Sequence, residues 1–274
     1  MSVNTPPKRS PWLYFVLVFV LTIPFWLVGA ITGGSLPKGL GINLPISALA
    51  FVCPLGAALI LVYREEKREG VKKLVKRLFD LRGFNHKIWY VPTILLMPLI
   101  LLLSYVVMRL VGLPLPDLRS PGLSIVLLFG VYAVAALGEE AGWSGYAIDP
   151  LQARWGAAAA GVMLGTVWAL WHILGDAQAH NAPLWIVEQS IFTVAARVVI
   201  IWLYNNAGKA VPAAILFHSM VNVSDAVFPN YSLPSAPAFV AAFTLVLAGI
   251  ATFLWGSKTL SQYRFARKRL ADAT

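Results

Sequence analysis

Charge is what this sequence has least of. Only 12% of its 274 residues are charged, 58% are hydrophobic, and mean hydropathy is +0.72. Soluble domains carry about a quarter charged residues, so this chain cannot wet a globular surface of its size. A water-soluble enzyme and a disordered chain are both excluded. Cysteine is nearly absent: Cys53 stands alone in an apolar stretch, which rules out a disulfide framework and any cysteine-based metal site. Acid is scarce, with 12 Asp+Glu against 22 Lys+Arg and a net charge of +10. The alternating apolar and polar strands that a membrane barrel requires are missing as well.

Long apolar runs are what the chain does have. They fall near residues 12–31, 44–63, 88–111, 124–146, 155–174, 184–204, 211–227 and 236–255. Each is about as long as a helix needs to cross a bilayer, except the short seventh. The pattern predicts an all-α, polytopic transmembrane bundle of about eight spans, with 1–274 as one integral membrane domain. The first run follows Lys8 and Arg9 and is too long for a signal-peptide core, so it reads as a retained helix.

The basic excess reads as loops against an anionic leaflet, not as a nucleic-acid surface. It concentrates in 64–87, where nine Lys or Arg interleave with Val71, Leu74, Val75, Leu78 and Phe79 at helical spacing. That describes an amphipathic cytoplasmic helix between spans two and three, with anionic lipid as its partner. Lys8, Arg9 and the tail Arg264, Arg267, Lys268 and Arg269 fall on the same side, whereas the opposite loops carry only Lys38 and Arg119. The expectation is a multi-pass protein of the cell membrane with both termini cytoplasmic. Gly161 and Gly165, four apart, form a small-residue face that presses the fifth span against a neighbour.

Ionisable residues at membrane depth are costly and mark function. Here they gather in 124–227. Glu139 and Glu140 sit in VYAVAALGEEAGWSGYA, His172 in GTVWALWHILG, and His218 and Asn222 in AAILFHSMVNVSD. Trp168 and His172 share a helix face, as do His218 and Asn222. Adjacent Glu139 and Glu140 point about 100° apart, so each needs its own partner. A carboxylate with an imidazole can position and deprotonate water, and an imidazole with an amide can donate to an oxyanion. Glu188, Arg197 and Asp225 are further candidates; His86 and His180 read as loop histidines.

At these residues the chain resembles the CAAX-protease and bacteriocin-processing family, which contains the type II CAAX prenyl endopeptidases. The family motifs Glu-Glu-x-x-x-Arg, Phe-x-x-x-His and His-x-x-x-Asn/Asp fall in order on Glu139–Glu140, His172 and His218–Asn222. Two positions depart from them: Ser144 stands where the motif has Arg, and Trp168 where it has Phe. Arg154 or Arg197 could replace the lost guanidinium. The resemblance implies an intramembrane glutamate-type endopeptidase without metal or cofactor, acting on a membrane-associated peptide or protein. It makes Glu139 the base that activates water, His172 its aid, His218 and Asn222 the oxyanion donors, and Glu140 a support.

Three other readings compete. Gly142-Trp143-Ser144-Gly145 matches the Gly-x-Ser-Gly of rhomboid serine proteases, with Ser144 as nucleophile. Two His and a Glu can hold zinc. A non-catalytic immunity or partner-binding protein of the same fold is the third. Geometry adds a demand of its own. If spans four and five formed a hairpin closing after Tyr146, Glu139 and His172 would differ in depth by about 12 Å. A tilt, a break at the glycines or a re-entrant start near Pro150 must remove the mismatch. Hydrolysis also needs a water path, expected from the cytoplasmic, basic side.

Overall fold

The computed structural model describes residues 9–34, 46–81, 87–118 and 122–266. Lys8, Lys38, His86, Arg119, Arg267, Lys268 and Arg269 lie outside them. Every regular element among the described residues is helical: α1 (Pro11–Thr32), α2 (Val52–Leu78), α3 (Tyr90–Leu110), α4 (Ser124–Gly142), α5 (Ile148–Trp155), α6 (Ala157–Gln178), α7 (Pro183–Asn206), α8 (Val211–Val227) and α9 (Ala236–Trp255). Seven helical stretches are long and apolar enough to cross a membrane, and α8 is a shorter apolar helix of 17 residues. The protein is a polytopic helical bundle.

Local chemistry sets the helix ends. Ser10 caps α1 by accepting from the Leu13 amide, Pro11 occupies its first turn, and Gly33 ends it at φ 71°. Between α5 and α6 the chain reverses at Gly156, whose φ of 79° favours glycine. The first amides of α6 would be orphans there. Ala157 and Ala158 donate instead to the carbonyls of Lys258 (2.8 Å) and Ser257 (2.9 Å), so the segment after α9 caps α6.

In lipid, helices have little hydrophobic drive to associate and rely on close packing. The small-residue face of α6 does this against α7. A Cβ on Gly165 would sit 2.8 Å from Val194 Cα, and one on Gly161 would sit 3.1 Å from Val198 Cα. Helix α7 also packs on α9, and α4 lies between α2 and α8.

The fourth helix does not close where its hydropathy falls, after Tyr146. It continues through a π-helical turn, Trp143–Ala147, into α5, forming a stretch of 32 residues. Glu139 then lies 16 residues before Trp155, and His172 lies 15 residues after Ala157. Helix length therefore removes the 12 Å mismatch, and no re-entrant segment is needed. The π turn has a local cause in Pro150, which has no N–H to return to Gly145 or Tyr146. The Gly145 carbonyl accepts from Arg77 Nη1 (2.9 Å) and Arg9 Nη1 (3.5 Å).

Arg77 comes from the basic segment. That segment is the far end of α2, set off by non-helical backbone at Lys67 (φ 55°). Leu74 and Leu78 are buried under the π turn, while Val75, Phe79, Lys72 and Lys73 are exposed. Arg77 also pairs with Asp149 and the Tyr204 hydroxyl, and Arg9 pairs with Glu66. Asn205 and Asn206 donate to the carbonyls of Thr259 and Leu260. The described beginning and end of the chain thus share one end of the bundle with the basic helix.

Gly165→Leu should cost about 1–3 kcal/mol by overpacking and lower the melting temperature of the detergent-solubilised protein. Gly249→Leu, where a side chain meets nothing within 4 Å, should leave it unchanged.

Candidate active site

The two carboxylates of α4 have separate surroundings. Glu140 is fully buried, and Arg197 of α7 forks onto it, Nη1 to Oε2 at 2.8 Å and Nη2 to Oε1 at 2.9 Å. His218 Nδ1 of α8 donates to Oε1 at 3.1 Å, and Ser144 donates its hydroxyl to Oε2. A planar guanidinium matches a carboxylate in this two-point way. Arg197, on α7, therefore gives Glu140 a guanidinium, where Ser144 offers only a hydroxyl. Arg154 instead stacks over the Trp155 ring.

Glu139 meets indoles rather than charge. Trp168 Nε1 donates to its Oε2 at 2.8 Å and Trp143 Nε1 to the same oxygen at 3.4 Å, while Oε1 receives no bond from a described residue. A phenylalanine at 168 could not make the first of these bonds. The Trp168 ring also stands edge-on to His172 and His218, with centroids 5.5 Å and 5.1 Å apart, and the Arg197 guanidinium lies 4.1 Å from its centroid. His172 Nδ1 lies 2.9 Å from the Trp168 carbonyl. A carbonyl can only accept, so Nδ1 carries a proton, and in the neutral ring Nε2 is then the acceptor.

A cavity of about 240 Å³ is lined by Glu139, His172, His218 and Asn222, together with Tyr132 and Asp176. It extends toward Trp26, Ser47 and Ala179, the end of the bundle opposite Arg9 and Arg77. The cavity, expected to open toward the basic side, thus lies toward the other end. The cause is that α6 runs away from the basic end, so that everything past His172 faces the far end. Ser144 does not line the cavity; its hydroxyl is buried against Glu140. Glu188 and Asp225 stand outside the cavity lining, and His180 is exposed in the turn between α6 and α7.

Sequence reasoning missed three of these features. Trp143 as a second donor to Glu139 was readable from its i+4 spacing. Asp176 was readable in the same way, one turn past His172. Trp171, which donates to Thr22 Oγ1 at 2.8 Å and so ties α6 to α1, left no signal across 149 residues.

Removing one partner of a buried ion pair costs about 3–5 kcal/mol. Arg197→Ala should therefore destabilise the bundle by about that amount, read as thermal unfolding in detergent. Ser144→Arg added to Arg197→Ala should recover part of the loss, because position 144 is one turn from Glu140 and Arg197→Ala vacates the space.

The comparisons with known proteins follow this geometry. A family model for Rce1-like type II CAAX prenyl endopeptidases matches residues 121–224, the stretch that holds every cavity residue from α4 to α8. CAAX prenyl protease 2 of Methanococcus maripaludis is 29% identical over 231 residues, covering 79% of this chain and 84% of its own length. The motifs in family order, the matched segment and the relative agree: over its second half the chain is similar to the Rce1-like type II CAAX prenyl endopeptidases.

Proposed function

We propose that this chain is a glutamate-type intramembrane endopeptidase in which Glu139 activates the attacking water without a metal. The observation that carries the reading is that Glu139, His172, His218 and Asn222, drawn from three helices, line one cavity. Both indoles bond Glu139 Oε2, so Oε1 is the oxygen left to take a proton. His172 presents Nε2 and helps hold the water. The water oxygen attacks the scissile carbonyl as its proton passes to Glu139. His218, carrying both protons, donates through Nδ1 to Glu140 and through Nε2 to the oxyanion, beside the Asn222 amide. Collapse of the tetrahedral intermediate breaks the C–N bond, and Glu139 returns its proton to the leaving amine.

Other features favour this chemistry over its rivals. Ser144 is buried and engaged by Glu140, a poor position for a nucleophile. Among the described residues, no three His, Cys, Asp or Glu side chains converge as metal ligands do. The chain acts as a single membrane unit, with 124–227 carrying the chemistry. The concentration of Lys and Arg at one end supports a cell-membrane orientation with both termini cytoplasmic, and the exposed Lys72 and Lys73 supply the charge that meets anionic lipid.

The test is cleavage of membrane-anchored peptides by purified protein. Glu139→Gln should lower kcat by at least about 100-fold and Asn222→Ala by about 100- to 1,000-fold, whereas Ser144→Ala retains most of the activity. Activity that survives Glu139→Gln and vanishes with Ser144→Ala would transfer the reaction to the serine. Trp168→Phe, which restores the family aromatic but deletes the 2.8 Å bond to Glu139, should reduce kcat with little change in KM.

A further inference from the structure

The charges of the cavity do not balance. Glu140 is matched by Arg197, but it lies behind the wall. The carboxylates that line the cavity are Glu139 and Asp176, and no Lys or Arg is among the lining residues. Asp176 follows His172 by one turn on α6 and so extends the same face. Among the described residues its carboxylate has no hydrogen bond or salt bridge, and the attraction it does feel comes from the His172 ring one turn back. The neighbouring His172 ring directs Nδ1 to the Trp168 carbonyl, back along the helix and away from Asp176. A carboxylate near the end of α6 that faces a cavity with neither a hydrogen bond nor a salt bridge leaves a place for a cation from outside.

We propose that Asp176 is a specificity-determining residue and that it selects a lysine or arginine of the substrate close to the cleaved bond. The inference rests on the cavity being the substrate site argued above. Four residues of helix separate His172 and Asp176 by about 6 Å, and an extended peptide advances about 3.3 Å per residue, so the cation falls within about two residues of the scissile bond. The same charge disfavours an acidic side chain at that place, which makes the residue a filter as well as an anchor.

The test uses the full-length protein in detergent or vesicles and lipid-anchored peptides identical except at one position. That position holds Lys, Gln or Glu and is moved through the two residues on either side of the bond. At one of these positions the wild type should cleave the Lys peptide at least about tenfold faster than the Glu peptide in kcat/KM, about 1.4 kcal/mol. Asp176→Asn should erase the difference, and Asp176→Lys should invert it. Equilibrium binding of the same peptides to Glu139→Gln separates selection from chemistry. Binding that prefers Lys without any cleavage by the wild type keeps the selection and overturns the protease reading. Cleavage that depends on Glu139 but ignores the charge at every position overturns the selection and keeps the protease. A uniform loss of rate in Asp176→Asn across all three peptides would assign Asp176 to positioning His172 and also overturn it.

Discussion

The buried fork between Arg197 and Glu140 is the interaction on which the rest of the site depends. Its two short bonds join α4 to α7, and the same carboxylate takes His218 of α8 and Ser144 of its own helix. Two charges in a low-dielectric interior attract strongly, and each is very costly if left alone. Three helices are thereby held in one register at one depth. The neighbour of Glu140 in the chain is rotated by about 100°, so fixing Glu140 also aims Glu139 at the cavity. The paired glutamates have separate surroundings: one sits in the ion-pair network and the other lines the cavity.

Trp168 extends that order to the residues that line the cavity. It stacks under the Arg197 guanidinium, donates to Glu139 and stands edge-on to both histidines. The two departures from the family motifs meet at one cluster. Ser144 and the Arg197 guanidinium both bond Glu140, and the large ring at 168 offers that cation a face and offers Glu139 an N–H. A small hydroxyl at 144 is compatible with the guanidinium arriving from the other side.

Much of this was legible in the sequence because lipid imposes simple rules. Apolar length gave the spans, expensive polar residues pointed to the cavity, and Gly161 with Gly165 predicted the tight contact now seen with α7. What failed to show has physical reasons. Residues 147–155 include Asp149, Gln152 and Arg154 and look like a loop, yet they extend α4, with Arg77 and Tyr204 meeting Asp149 and Asn205 donating to the Gln152 side-chain oxygen from neighbouring helices. The partner of Glu140 was among two guesses only, since no spacing rule connects residues 57 apart in sequence. The direction of the cavity depends on which way α6 runs past His172, and hydropathy is blind to that.

The π turn explains why the basic helix and the site belong to one device. A π insertion shifts by one residue the faces presented before and after it. Glu139 and Glu140, ahead of it, face α6, α7 and α8; Asp149, behind it, faces Arg77 and Tyr204. The insertion leaves the Gly145 carbonyl to be met by guanidinium groups from the start of the chain and from the basic helix. Lys and Arg gather at that end, while the cavity toward the other end is lined by Glu139 and Asp176 with no Lys or Arg. The fold thus sets its basic groups and its cavity at opposite ends, and between them the indoles of Trp143 and Trp168 meet Glu139 with N–H groups while Arg197 is engaged by Glu140.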